Sequence, residues 1–359
     1  MENSQLKTLL ITGGAGFIGS NFVQYQIEHN PNYRIIVLDN LTYAGNLENL
    51  ISVENHRNYR FIKGDICDFQ LLSRIFSEES ITSVVHFAAE SHVDRSILGP
   101  QDFIRTNIEG TFTLLETARK FWGSDPDGKV FIHISTDEVY GSLGFNDPAF
   151  TEGSPYKPNS PYSASKAASD HLVRSYFHTY NIPTIITHCS NNYGPYQFPE
   201  KLIPLMIINA IEGKPLPIYG KGQNIRDWIY VDDHCKAIDT ILRKGIPGHV
   251  YNIGADNEQK NIDVVNLICD SIDKRLGLTG ENSTSNLITY VADRPGHDLR
   301  YAIDTDKIRH ELGWSPEESF ARGLQKTIAW YLDNRNWWQR IRSGDYQSYY
   351  EAQYRQRLK

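Results

Sequence analysis

Tyr162 and Lys166 stand four residues apart in Pro161-Tyr-Ser-Ala-Ser-Lys166. A proline at an early position, with Ser160 able to cap, predicts that this stretch opens a helix. On a helix the spacing sets both side chains on one face, where an ammonium favours a phenolate and lowers the tyrosine pKa toward use as a base. Tyr59 and Lys63 repeat the spacing, but within a predicted strand, where that geometry is lost. A second group lies upstream in Ser135-Thr-Asp-Glu-Val-Tyr-Gly141. Asp137 and Glu138, leaving a buried strand together, fit an acid and base pair. One is protonated to release a hydroxyl as water and the other ionised to take a proton from carbon, their repulsion splitting the two pKa values. A turn carrying two solvated acids fits the same letters.

The carboxyl end of the first predicted strand, Leu9-Leu-Ile-Thr12, runs into Gly13-Gly-Ala-Gly-Phe-Ile-Gly19 and then a helical pattern. Gly14 is assigned to the tight turn, Gly16 to backbone approach toward a pyrophosphate, and Gly19 to close helix-to-strand packing. The helix start offers free N–H groups and a favourable dipole to phosphates. Asp39 ends the second strand twenty positions after Gly19, where a carboxylate accepts from ribose hydroxyls. Asn40 stands where an NADP enzyme would place an arginine, so NAD is the expected cofactor. Asp65 and Ile66 after the third strand are expected to flank adenine, and Phe87, Ala88 and Ala89 after the fourth leave room for the cofactor. Thr106 and Asn107 fit this crevice or plain helix capping equally.

The elements that must hold these groups alternate in period. Apolar runs at Thr8 to Thr12, Arg34 to Asp39, Tyr59 to Lys63, Ser83 to Phe87, Val130 to Ser135 and Pro183 to Cys189 read as strands. Phe17 to Asn30 and Asn107 to Phe121 read as helices. That rhythm predicts an α/β fold: a doubly wound parallel sheet of Rossmann type, with ligands at the carboxyl ends of its strands. Beyond Asn191, Pro195, Pro199, Pro204, Pro215 and Pro217 interrupt the rhythm. The expected division is a dinucleotide-binding domain over 1–190 and a smaller, irregular α/β substrate lobe over 191–359, part of it free to return to the first domain. The aromatic run from Trp337 to Tyr354 is assigned to surface packing on this lobe.

Composition narrows the class. The formal charge of −7 argues against nucleic-acid binding. Cys67, Cys189, Cys235 and Cys269 are too dispersed for a zinc site or a disulfide framework. No apolar stretch approaches the roughly 18 residues of a membrane span. Met1 to Lys7 lacks the plan of a signal peptide, so the expected location is the cytoplasm.

Thr12-Gly-Gly-Ala-Gly-Phe-Ile-Gly19, Asp39-Asn-Leu-Thr42, the Ser-Thr-Asp-Glu-Val-Tyr-Gly stretch and Tyr162-x-x-x-Lys166 together resemble the dTDP-glucose 4,6-dehydratases, nucleotide-sugar enzymes of the extended short-chain dehydrogenase/reductase family. Matching text runs through almost the whole chain. The resemblance implies that bound NAD transiently oxidises sugar C4, with Tyr162 taking the O4 proton and Thr136 hydrogen-bonding near that oxygen. Glu138 would then remove the C5 proton while Asp137 protonates the departing C6 hydroxyl. It adds Phe17, Ile18, Leu41, Thr42 and Asn192 to the cofactor contacts. Ser91, Asn191, Lys201, Leu202, Pro217, Ile218, Tyr219, Arg226, Asn261, Asp293, Arg294 and His297 would hold the nucleotide sugar, although Asn191 also suits a simple turn and each arginine a surface ion pair. It further implies a homodimer and a place in rhamnose biosynthesis. A 4-epimerase shares the glycine motif and the Tyr/Lys pair but needs no elimination acid or base; a non-catalytic NAD(P) sensor needs none of the four. No residue decides between thymine and uracil.

Overall fold

The side chains of β1 (Lys7–Thr12) part alternately to the two faces of a sheet, as strand geometry requires. Leu9 and Ile11 enter a core formed with α1 (Phe17–His29), while Leu10 enters a second core on the opposite face. The computed structural model describes residues 7–123, 126–293 and 295–342. Its main sheet continues with β2 (Tyr33–Asp39), β3 (Tyr59–Lys63), β4 (Ser83–His86), β5 (Val130–Thr136) and β6 (Thr184–Cys189), each within a few residues of its expected bounds. α2 (Phe69–Glu79) joins β3 to β4. Short α3 (Val93–Leu98) and α4 (Pro100–Phe103) follow, then α5 (Thr111–Trp122) and, after β5, α6 (Pro161–Tyr180).

The helix expected to start at Asn107 begins differently. Residues Ile104–Gly110 form a wider π-helical turn, and regular α-helix starts only at Thr111. Such turns commonly mark functional sites. α6 keeps its expected start: Pro161 occupies the first turn, and Ser160 and Ser163 cap each other reciprocally.

The later chain supplies β7 (Asn191–Tyr193), α7 (Leu202–Glu212), β8 (Leu216–Tyr219), β9 (Ile225–Tyr230), α8 (Val231–Lys244), β10 (Val250–Ile253), β11 (Glu258–Lys260), α9 (Asn261–Leu276), β12 (Ile288–Val291), α10 (Asp306–Leu312), α11 (Phe320–Asp333) and α12 (Arg335–Ile341). The large sheet runs β3-β2-β1-β4-β5-β6-β10, with every neighbouring pair parallel. Its seventh strand, β10, thus comes from beyond residue 190. α8 and α10 also pack on the α1 face, through Ile238, Ile241, Ile308 and Leu312. Strand order reverses between β1 and β4, which opens the crevice where such folds place their ligands.

A third core joins α7, α9 and α11 through Ile207, Ile268 and Ile328. Two small sheets, β11-β9-β7 and the pair β12-β8, edge this lobe. Trp337 and Trp338 are buried in its core, and the Trp337 indole donates to Asn49 Oδ1 at 2.8 Å. The start of the aromatic run therefore ties the lobe to the first sheet's side; its remainder, 343–354, and residues 1–6 lie outside the described residues. No described helix is long and apolar enough to cross a membrane.

Candidate active site

Backbone conformation at the end of β1 shapes the floor of one cleft. Gly13 takes φ +71°, and a Cβ there would lie 2.5 Å from the Ala88 amide nitrogen. The turn assigned to Gly14 therefore belongs to Gly13; Gly14 instead makes room for the Val37 side chain. Gly13, Gly16, Phe17, Ile18 and Gly19 line the cleft along the amino end of α1, whose first amides have no partner within the helix. Opposite stand Asp39, Asn40, Thr42, Asp65, Ile66, Phe87, Ala88, Ala89 and Thr106.

Asp39 is held by two amides. Ala15 N–H donates to Oδ2 at 2.9 Å and Leu41 N–H to Oδ1 at 2.8 Å, while burial raises the carboxyl pKa against both. Leu41 reaches this site only through that amide: its side chain packs against the core and does not line the cleft. Asn107 is pinned in the π-helical turn. Its amide exchanges hydrogen bonds with the backbone of Glu90, at 2.9 and 3.0 Å, and donates to Ser165 Oγ at 2.8 Å. Its side chain is therefore not a plain cap but a clamp between the β4 loop and α6.

Thr136, Asp137, Glu138, Tyr162 and Lys166 converge on the other half of the same cleft. Thr136 ends β5 and, through its hydroxyl, caps the short turn Asp137–Tyr140. That hydroxyl lies 3.3 Å from Asp137 Oδ1 and hydrogen-bonds the Tyr162 phenol. Burial, then Glu138 and Asp227, push the Asp137 carboxyl well above its ordinary range. Lys166 Nζ donates to the Ile134 carbonyl at 2.8 Å, and burial brings its pKa down to about 8. The expected lowering of the Tyr162 pKa is not what the protein alone provides. Burial first, then the negative field of Glu138, raise the phenol well above its usual value, and Lys166 is directed to a carbonyl.

Asn191 and Asn192 enter the cleft from β7, with Ser91 and Lys201 at its far side. Asn191 Oδ1 is buried without a protein partner among the described residues. Asn192 is fixed: its Oδ1 faces His234 Nδ1 at 2.8 Å, and burial lowers that histidine to about 3, leaving a neutral imidazole that donates. Lys201 Nζ donates to the Ser91 carbonyl at 3.0 Å.

The remaining lobe residues do not line this cleft. Leu202 opens α7, Ile218 is buried in the lobe core, and Pro217 shares its strand. The Tyr219 hydroxyl donates to Asp94 Oδ2 at 3.3 Å. Asn261 begins α9, with its Oδ1 buried and unmatched. Asp293 Oδ1 and His297 Nδ1 lie 2.6 Å apart. Arg226 is buried, donates to the main-chain carbonyls of Ile225 at 2.7 Å and Asp298 at 2.9 Å, and lies over the Tyr301 ring. Its charge nonetheless reaches Asp137, whose pKa it opposes raising. Arg294 lies outside the described residues.

Several cleft residues had no place in the sequence reading. Tyr43, Glu90 and Glu200 line it, and Tyr43 hydrogen-bonds Glu200. Arg95 Nε donates to Glu200 at 2.9 Å while its guanidinium covers the Tyr43 ring at 3.9 Å. Each adjoins a residue already singled out, Thr42, Ala89 or Lys201, and that adjacency was the available signal.

A doubly wound sheet whose switch-point cleft brings a glycine turn up to a helical Tyr-x-x-x-Lys pair defines the extended short-chain dehydrogenase/reductase class. The description GDP-mannose 4,6 dehydratase belongs to the family model that matches residues 10–327. The chain belongs to that nucleotide-sugar dehydratase family. It is 56% identical over 358 residues to the dTDP-glucose 4,6-dehydratase of Shigella flexneri, covering 96% of this chain and 98% of that one. The structure of DesIV, a dTDP-glucose 4,6-dehydratase from Streptomyces venezuelae with NAD bound, is 48% identical with a TM-score of 0.86, covering 93% of this chain and 99% of that one. The Bacillus anthracis dTDP-glucose 4,6-dehydratase in complex with NAD is likewise 48% identical, with a TM-score of 0.83 and the same coverage.

Proposed function

We infer that this protein dehydrates dTDP-glucose to dTDP-4-keto-6-deoxyglucose with bound NAD. The observation that carries the reading is the Asp137–Glu138 pair: one acid buried, its carboxyl pushed well above the ordinary range, its neighbour half-buried, both in the cleft of Tyr162. An epimerase has no use for that pair.

The residues present fit the cofactor. Gly16, Phe17 and Ile18 would present helix-terminal amides to its pyrophosphate. The pinned Asp39 would accept from the adenosine ribose, and the neutral Asn40 offers no charge to a 2′-phosphate. NAD, when bound, supplies the acceptor and later the donor of the sugar's C4 hydride, and its positive nicotinamide opposes the field that raises Tyr162. Tyr162 takes the O4 proton, with Thr136 orienting its hydroxyl and Lys166 keeping a positive charge nearby. A C4 ketone acidifies C5–H. Glu138 removes that proton as Asp137 gives its own to the leaving C6 hydroxyl, and water departs. Hydride then adds to C6 and Glu138 returns a proton to C5.

In this reading residues 1–190 hold the dinucleotide, and residues from 191 onward mainly hold the nucleotide sugar, with β10 and α8 returning to the first sheet. Asn191, with its buried unmatched oxygen, faces the sugar. Exposed Phe112 and Phe121 on α5 support a homodimer through that helix and α6. The test is a substrate panel followed by mass spectrometry. Loss of one water is expected, with the highest kcat/KM for dTDP-glucose. Preference for UDP- or GDP-glucose would reassign the base, and no loss from any of them would remove the dehydratase reading.

A further inference from the structure

Tyr162, Lys166 and Asp170 form one stripe of α6 at successive four-residue steps, and the third member has no part in the chemistry above. Asp170 is 1% exposed, between α6 and the sheet. Its Oδ2 accepts from Ser135 Oγ at 3.0 Å and lies 3.0 Å from His188 Nε2, and the Tyr156 hydroxyl also bonds the carboxylate. Its Oδ1 lies 3.3 Å from His133 Nε2, and the same nitrogen is 3.4 Å from Lys166 Nζ. One neutral imidazole thus stands between a buried ammonium and a buried carboxylate.

A buried cation and a buried anion between one helix and the sheet are less screened than in water, so the arrangement has a consequence for Lys166. The geometry points to Asp170 as the positioning residue that keeps Lys166 in its charged form, through the His133 imidazole and the field between β5 and β6. The inference rests on the functional reading only for the use to which the charge is put.

The other groups facing this pair come from every surrounding element. His86 on β4 and His133 on β5 are both held neutral by burial, the latter at about 4. His188 and Cys189 come from β6. Tyr140 and Tyr156 cover the Asp170 end, burial raising both phenols so that they remain neutral donors. Burial alone would raise the Asp170 carboxyl, and the His133 and His188 imidazoles beside it more than reverse this, leaving it below the usual carboxylate range. For Lys166 burial lowers the pKa to about 8, and Asp170 is the first of the groups that oppose the fall, ahead of Cys189.

The sign follows. Charged Lys166 is present below its pKa and lost as pH rises through it, so removing the Asp170 charge moves that loss to lower pH. The experiment follows the Cε resonance of Lys166 in protein labelled with carbon-13 lysine, assigned through its disappearance in Lys166→Met. The midpoint expected for the wild type is about 8, and for Asp170→Asn lower by at least about one unit, with Asp170→Glu restoring it. A folded Asp170→Asn whose Lys166 midpoint does not move overturns the inference. Should that variant not fold, the Asp170 carboxyl carbon in the wild type decides: an ionised carboxylate at neutral pH is required, and a protonated one overturns the inference. Neither titration needs turnover, so a wild type inactive toward dTDP-glucose would sink the functional reading while leaving this test intact. In active protein the alkaline limb of the pH-rate profile shifts down with the Lys166 midpoint, whereas a purely structural loss would lower the rate equally at every pH.

Discussion

Asp137 is 2% exposed while Glu138, the next residue, is half-buried against the cleft. Burial, then Glu138 and Asp227, hold the Asp137 carboxyl well above its ordinary range. The folded chain therefore keeps a proton that the unfolded chain gives up near pH 4. Above that pH the native state is penalised, and the penalty grows with pH until the folded group ionises as well. Asp137→Asn removes the penalty along with the acid. The variant is expected to melt at a higher temperature than wild type at neutral pH, with the gain vanishing below about pH 4, while dehydration slows by roughly 10²- to 10⁴-fold. A lower melting temperature at neutral pH would mean that Asp137 is not a buried neutral acid.

Much of this arrangement was legible in the letters because period and punctuation agree. The six strands of the first half, the capped start of α6 and the positions of Asp39, Asp137 and Tyr162 all follow from local pattern. What was not legible depends on neighbours distant in sequence. β10 joins the large sheet through Tyr251 and Ile253, in a run too short to announce its partner. Gly13 rather than Gly14 turns because Ala88 approaches from β4. The π-helical turn before α5 carries no signature in Ile104 to Gly110, and it is what lets Asn107 clamp Glu90 to Ser165. The Tyr162 phenol is raised rather than lowered because a Tyr–Lys spacing says nothing of how deeply the phenol is buried, nor of Glu138 beside it. Arg226 is set by β9, which buries it and turns two of its N–H groups toward main-chain carbonyls, an orientation no local pattern announces.

The turn at Gly13 offers a stability test. An alanine there adopts a left-handed conformation, costing about 1–2 kcal/mol, and also drives a methyl into the Ala88 backbone, which cannot rotate away. Gly14→Ala needs no left-handed backbone and meets side-chain methyls rather than main chain, Val37 Cγ1 at 2.6 Å and Ile11 Cγ2 at 3.4 Å. Denaturant unfolding is expected to place Gly13→Ala at least about 2 kcal/mol below wild type, and below Gly14→Ala. It is also expected to bind NAD more weakly than wild type. The reverse order would return the turn to Gly14.

The central claim is that one cleft both oxidises a sugar at C4 and eliminates water across its C5–C6 bond. Incubating the protein with dTDP-glucose in heavy water and analysing the product by mass spectrometry and NMR tests this directly. The account predicts a nucleotide sugar lighter by one water and carrying deuterium at C5, where Glu138 returns a solvent proton. A nucleotide sugar of unchanged mass, epimerised at C4, would contradict it.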